Sequence, residues 1–193
     1  MKKNIRRLIY TLSIVSIVWI GLTIWVQFSN SGDEIIIGET GGEPTVLITY
    51  NPDPIYNLDE QICIAFAKGL ATNGIKSRII TTNTEPLTEE YDIYVFCANT
   101  YNWAPDWGIT SFIYNIPNLE NKNCINITVG SGSTSRARTI LAKSVQDRNA
   151  NLMDSREFWL LKPNDENRIE ESNIDVAVDM ANQWGLEMGL KIK

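Results

Sequence analysis

Two patterns of apolar residues divide the chain. From Leu8 to Phe28 no charged side chain interrupts the run LIYTLSIVSIVWIGLTIWVQF. As a helix at 1.5 Å per residue it would cover about 31 Å, the thickness of a hydrocarbon core. From Thr45 onward, short β-branched runs alternate with segments of helical period. Strands are predicted over 45–50, 75–82, 91–98, 123–130 and 151–161, and helices over 58–73, 107–116, 134–148 and 172–190. Strands without strict polar alternation, separated by amphipathic helices, point to a parallel sheet covered on both faces by right-handed crossovers. Between the second and third strands NTEPLTEE is too short for a full helix, so that crossover reduces to a turn or an extended link.

Local signals support the helices. Asn57 with Glu60 three residues on reads as a capping pair, and Leu58, Ile62, Phe66 and Leu70 form one stripe before Asn73-Gly74. Ser172 and Asp175 repeat the capping spacing ahead of a stripe of Ala177, Met180, Ala181, Trp184 and Met188. Both stripes are expected to face the sheet.

Residues 1–28 read as an uncleaved transmembrane signal-anchor rather than a secretory signal, whose apolar core is about 7 to 15 residues long and ends in a small-x-small site. Residues 29–43 read as a Gly/Ser/acid linker carrying one sticky Ile35-Ile36-Ile37 patch, and 44–193 as the folded domain. Lys2, Lys3, Arg6 and Arg7 precede the span and Asp33, Glu34, Glu39 and Glu43 follow it. The positive-inside rule then keeps the N-terminus cytoplasmic and puts the domain outside, on a single-pass membrane protein contacting lipid through 8–28. With those four bases set apart, 13 of the 17 basic residues stand against 23 acidic ones. Such a field repels phosphate backbones, which argues against nucleic acid as a partner.

Composition narrows the chemistry. In 193 residues, 44% hydrophobic and 21% charged, there is no histidine, which removes the Ser-His-Asp and Cys-His nucleophile pairs and His metal sites. Cys63, Cys97 and Cys124 show no C-x-x-C spacing and are expected to be buried thiols rather than a disulfide or metal framework. The sequon at Asn126 falls in a predicted buried strand and reads as chance.

Ligands of open parallel sheets bind outside the carboxyl ends of the strands, where strand order reverses. Three loops leave such ends: Asn51 to Asn57, Asn99 to Trp107, and Gly130 to Ser135. Strand one ending in TY, the helix DEQICIAFAKGL, YDIYVFCANTYNWAP and ITVGSGSTSRA resemble the flavodoxin-like proteins, including relatives of NAD(P)H:quinone oxidoreductase. The resemblance covers about 45–190. It implies a three-layer α/β sandwich with a five-stranded parallel sheet in the order 2-1-3-4-5 and FMN at the switch point. Thr49, Tyr50, Asn51, Tyr56 and Asn57 would then surround the flavin phosphate. Asn99, Thr100, Tyr101, Asn102, Trp103 and Ala104 would lie along the isoalloxazine, with Tyr101 or Trp103 against the ring face. Trp103 and Trp107 also fit a plain plug over the sheet. Gly130, Ser131, Gly132 and Ser133 open a helix followed by Arg136 and Arg138 and suit either an anion nest or simple capping.

The first loop departs from the family pattern. Pro52 and Pro54 remove two N–H donors and Asp53 adds a negative charge where Ser, Thr and Gly are usual. Two functions follow. One is a membrane-anchored FMN protein, an oxidoreductase that passes electrons or a hydride to a quinone or redox partner. The other is a flavodoxin-fold module that has lost flavin and serves as a tethered binding or scaffold domain.

Overall fold

A computed structural model describes residues 3–28, 34–39, 45–84 and 89–192. The apolar run forms α1 (Lys3–Gln27), a helix long and apolar enough to cross a membrane, near the N-terminus. The domain then runs β1 (Ile35–Ile37), β2 (Thr45–Tyr50), α2 (Leu58–Ala71), β3 (Lys76–Thr81), β4 (Ile93–Tyr101), β5 (Ala104–Pro105), α3 (Trp107–Asn115), β6 (Asn123–Gly130), α4 (Ser135–Gln146), β7 (Asn151–Trp159) and α5 (Asn173–Ile192).

The sheet order is β1-β3-β2-β4-β6-β7, with β5 folded back on β4. The five predicted strands are β2, β3, β4, β6 and β7, and they pair in parallel in the expected order 2-1-3-4-5. Two strands are additional. Ile35–Ile37, expected within the linker, pairs antiparallel with β3 through Ile36 opposite Arg78. Three residues between Gly- and acid-rich stretches carry too little period to signal a strand. Residues 29–33 and 40–43 of the expected linker and residues 85–88 of the β3–β4 link lie outside the described residues.

Each central strand divides its side chains between two cores. Val46, Ile48, Val95, Cys97, Ile125 and Ile127 meet α2 and α5, whereas Leu47, Tyr94, Phe96, Ala98 and Cys124 meet α3 and α4. Helices α2 and α5 approach closely at Gly69 and Gly185, where a Cβ would collide with the Asn182 and Phe66 carbonyl oxygens. Trp184 fills the space beside them, 4.8 Å from the Phe66 ring, with its indole N–H donated to Asp154 at 3.0 Å. The three cysteines are free and buried, and Asn126 is wholly buried in the central sheet.

The cap at α2 differs from expectation. Asn57 adopts a left-handed conformation (φ 50°) and its side chain caps nothing, while its carbonyl receives Gln61 N–H. The Asp59 carboxylate does the work at this helix start instead. At α5 the Ser172 hydroxyl receives Asp175 N–H at 3.5 Å, as the spacing predicts.

Candidate functional site

The carboxyl edge of the sheet carries a crevice of about 210 Å³ between the loops after β2, β4 and β6. Asp53, Tyr56, Leu58, Asn99, Thr100, Tyr101, Val129, Gly130, Ser131 and Leu160 line it. Six of the residues singled out in the sequence therefore converge there: Tyr56, Asn99, Thr100, Tyr101, Gly130 and Ser131. Leu58, Val129 and Leu160 escape sequence reasoning because an apolar wall residue looks like any other core residue.

The remaining candidates sit elsewhere. Tyr50 is packed into the core under α2 and Thr49 is buried on the opposite face of the same strand. Asn51 is structural: its carbonyl receives Asn99 Nδ2 at 2.9 Å and its side-chain oxygen receives the Thr82 hydroxyl at 3.1 Å. Asn57 lies exposed at the helix start. Gly132 and Ser133 do not line the crevice, and Gly132 packs beside Lys162. The stretch expected to be a loop along a flavin ring is a β-hairpin. Strand β4 continues to Tyr101, turns through Asn102 and Trp103, and returns as Ala104–Pro105. Trp103 at its tip is 58% exposed.

Two carboxylates organise the first loop. Asp53 Oδ1 accepts the N–H groups of Ile55 at 2.7 Å and Tyr56 at 2.9 Å, and Oδ2 accepts the Tyr101 hydroxyl at 2.6 Å. Asp59 Oδ2 accepts Asp53 N–H at 2.9 Å and Asn99 Nδ2 at 2.8 Å, while Oδ1 accepts Glu60 N–H at 2.9 Å. A third acid, Asp106, caps α3: its carboxylate accepts Ile109 N–H at 2.8 Å and Asn99 N–H at 3.0 Å. Burial pushes Asp59 up to about 6 and Asp106 up to about 7, since desolvation penalises the charged form more than these hydrogen bonds favour it. Burial and the Asp53 carboxylate likewise raise the Tyr101 phenol well above its ordinary range. Asp106 carried a usable sequence signal, an acid immediately before an apolar helix.

A flavin phosphate does not fit this arrangement. The amides that would receive it, those of Ile55, Tyr56 and Glu60, already donate to the chain's own carboxylates. A phosphate would meet Asp53 and Asp59 at close range. In the turn after β6 the Gly130 and Ser131 carbonyls receive the amides of Leu160 and Leu161, and the Thr134 hydroxyl donates to Glu157 at 2.8 Å. The crevice is also smaller than the roughly 300 Å³ at which cofactor pockets begin.

The architecture has close counterparts among solved structures. A flavodoxin from the domain Archaea superposes with a TM-score of 0.56 at 11% identity, over 77% of this chain and 98% of that one. The fold is flavodoxin-like. An apo NADH:FMN oxidoreductase matches the flavodoxin-like domain with a TM-score of 0.52 at 14% identity, over 77% of this chain and 90% of that one. A flavodiiron core from Synechocystis matches with a TM-score of 0.58 at 14% identity over 79% of this chain, which spans 36% of that protein. No family model matches the sequence, and no curated protein matches it. At these identities the likeness carries the architecture, and the flavodoxin-like site must be read from its own side chains.

Proposed function

We propose that the protein is a flavodoxin-like domain tethered to a membrane by residues 8–28, whose switch-point crevice has given up the flavin phosphate and receives a small ligand or partner group without one. The supporting observation is the Asp53 carboxylate, which sits on the Ile55 and Tyr56 amides and is tied to Tyr101. In this reading the N-terminus is cytoplasmic and the domain lies outside, where the protein acts as a binding or scaffold module.

The test is the visible spectrum of the purified protein, as isolated and after incubation with FMN. A colourless, folded protein that leaves FMN fluorescence unchanged agrees with the proposal. A yellow protein bleached by dithionite or NAD(P)H would overturn it and establish the second reading, an FMN-dependent electron carrier serving a quinone or redox partner. One observation favours that second reading: the crevice lies at the point of strand reversal and is walled by Tyr56 and Tyr101. Protease digestion of sealed vesicles of known sidedness tests the topology, and loss of the domain from the cytoplasmic face would reverse it.

A further inference from the structure

The tip of the β4–β5 hairpin combines an unfavourable backbone with an exposed indole. Asn102 (φ 51°) and Trp103 (φ 61°) are both left-handed, the two-residue turn that favours Asn-Gly. Asn102 suits its place, whereas a bulky residue in Trp103's conformation is an outlier. Among the described residues the Trp103 indole makes no hydrogen bond or ring contact that would offset it. Strain kept in order to hold an aromatic away from the core implies something outside the core for it to meet.

The anchor ends at the same place. Asn102 Nδ2 donates to the Thr23 hydroxyl at 3.3 Å, and the Trp107 N–H, one of the α3 donors with no helical partner, is taken by Gln27 Oε1 at 2.7 Å. Gln27 is 8% exposed while the apolar face of α1 stays open. Thr23 lies five residues before Phe28, the end of the uncharged run. That sets the hairpin tip about 7 Å inside the end of the span. An amphipathic segment lying on a bilayer sits about 5 to 10 Å into the headgroup and acyl boundary. Trp25 is at this level on α1, and Ile55, Tyr56 and Trp107 are exposed on the same edge. The Tyr101 to Asp53 hydrogen bond ties the two loops together.

From these contacts we infer that Trp103 and Trp107 insert into the lipid interface beside the anchor, so that the carboxyl edge of the sheet rests on the membrane with the crevice opening next to the headgroups. This rests on α1 spanning a bilayer. The rim loops 51–60 and 99–110 contain no Lys or Arg and the domain is acidic. The occupant is therefore a zwitterionic lipid surface held by aromatic burial, not an anionic one held by charge.

The experiment uses the full chain carrying Trp19→Phe and Trp25→Phe, reconstituted into phosphatidylcholine vesicles with and without lipids brominated near the headgroup. Tryptophan emission should shift to the blue and be quenched by the brominated lipid. More than half of that quenching should disappear with Trp103→Asn and Trp107→Ser together. Asn suits the left-handed turn, so the thermal midpoint of Trp103→Asn should stay the same or rise, which separates membrane contact from a structural role. Flotation separates the two ways of failing. A chain that floats with the vesicles but shows no quenching, or quenching indifferent to the two substitutions, overturns the inference and leaves the anchor standing. A chain that does not float overturns the anchor and the inference with it. A blue shift in detergent that grows with protein concentration would assign the patch to a second copy and also overturn the inference.

Discussion

The Tyr101 hydroxyl donates to Asp53 across 2.6 Å, joining the loop after β2 to the hairpin after β4, residues 48 positions apart. That bond turns the Asp53 carboxylate onto the amides of its own loop. A cradle of loop amides is thereby closed by the chain's own carboxylate.

Opening that cradle should reveal whether the loop still faces a ligand. Asp53→Ser removes the charge and frees two amide donors, and it should strengthen FMN binding roughly ten- to a hundredfold if the phosphate comes within about 5 Å of that carboxylate, where the repulsion is about 1 to 3 kcal/mol. Titration of FMN fluorescence reads this directly. An unchanged isotherm would show that this loop never meets the phosphate.

The buried acids predict a stability profile that falls with rising pH. Asp59 and Asp106 hold their protons in the folded state up to about 6 and about 7, whereas unfolded aspartates release theirs near about 3.9. Between those values the folded state binds more protons than the unfolded one. This contribution is thus complete below about pH 4, declines through about pH 7 and is lost above it, at about 1.4 kcal/mol per pH unit for each carboxyl. Glu90 and Glu171, lowered by Lys122 and Arg168, act in the opposite direction at lower pH but are fully exposed and screened. Urea unfolding should give a higher midpoint at pH 5 than at pH 8. Asp106→Asn should flatten the slope while weakening the α3 cap. Equal midpoints at the two pH values would mean these carboxyls ionise as freely folded as unfolded.

How much of this was legible depends on the range of the interaction. The strands after Thr45 are β-branched runs and α2 and α5 carry four-residue stripes, so short windows locate them, and the sheet order is the one the flavodoxin-like resemblance implies. The crevice is different. Asp53 with Tyr101 and Asp59 with Asn99 are pairs 48 and 40 residues apart, and no local pattern announces either one. Asn102-Trp103 lacks the glycine that marks a tight hairpin, so β4 was expected to stop at Ala98 and the turn to be an open loop.

The α2–α5 contact should tolerate no added methyl group. Alanine in place of a helical glycine ordinarily gains about 0.5 to 1 kcal/mol. At Gly185 the new Cβ would strike the Phe66 carbonyl, which belongs to the α2 backbone and cannot rotate away. Overpacking of this kind costs about 1 to 3 kcal/mol or more, so Gly185→Ala should lower the unfolding midpoint. Gly74→Ala is no control because its φ is positive, whereas Gly21→Ala, with open space around it, should leave the domain unchanged.

Strand β1 makes the sheet longer than the domain boundary expected at residue 44, and its removal should be measurable. Glu34 precedes the strand and holds the Arg78 guanidinium through both carboxylate oxygens, at 2.9 and 2.8 Å, while Arg78 also donates to the Tyr91 hydroxyl at 2.9 Å. Ile35 and Ile37 pack against the core that includes Ile79. A domain beginning at residue 44 exposes the β3 edge and leaves Arg78 without its bidentate partner, and unpaired edges of this kind promote association. It should unfold earlier and aggregate more than a domain beginning at residue 34. Glu34→Gln within the longer form should cost only about 0 to 1 kcal/mol, because the pair is half exposed. Comparing the three separates the strand's apolar and backbone contribution from the ion pair. If the two truncations unfold at the same denaturant concentration, β1 adds nothing to the sheet's stability.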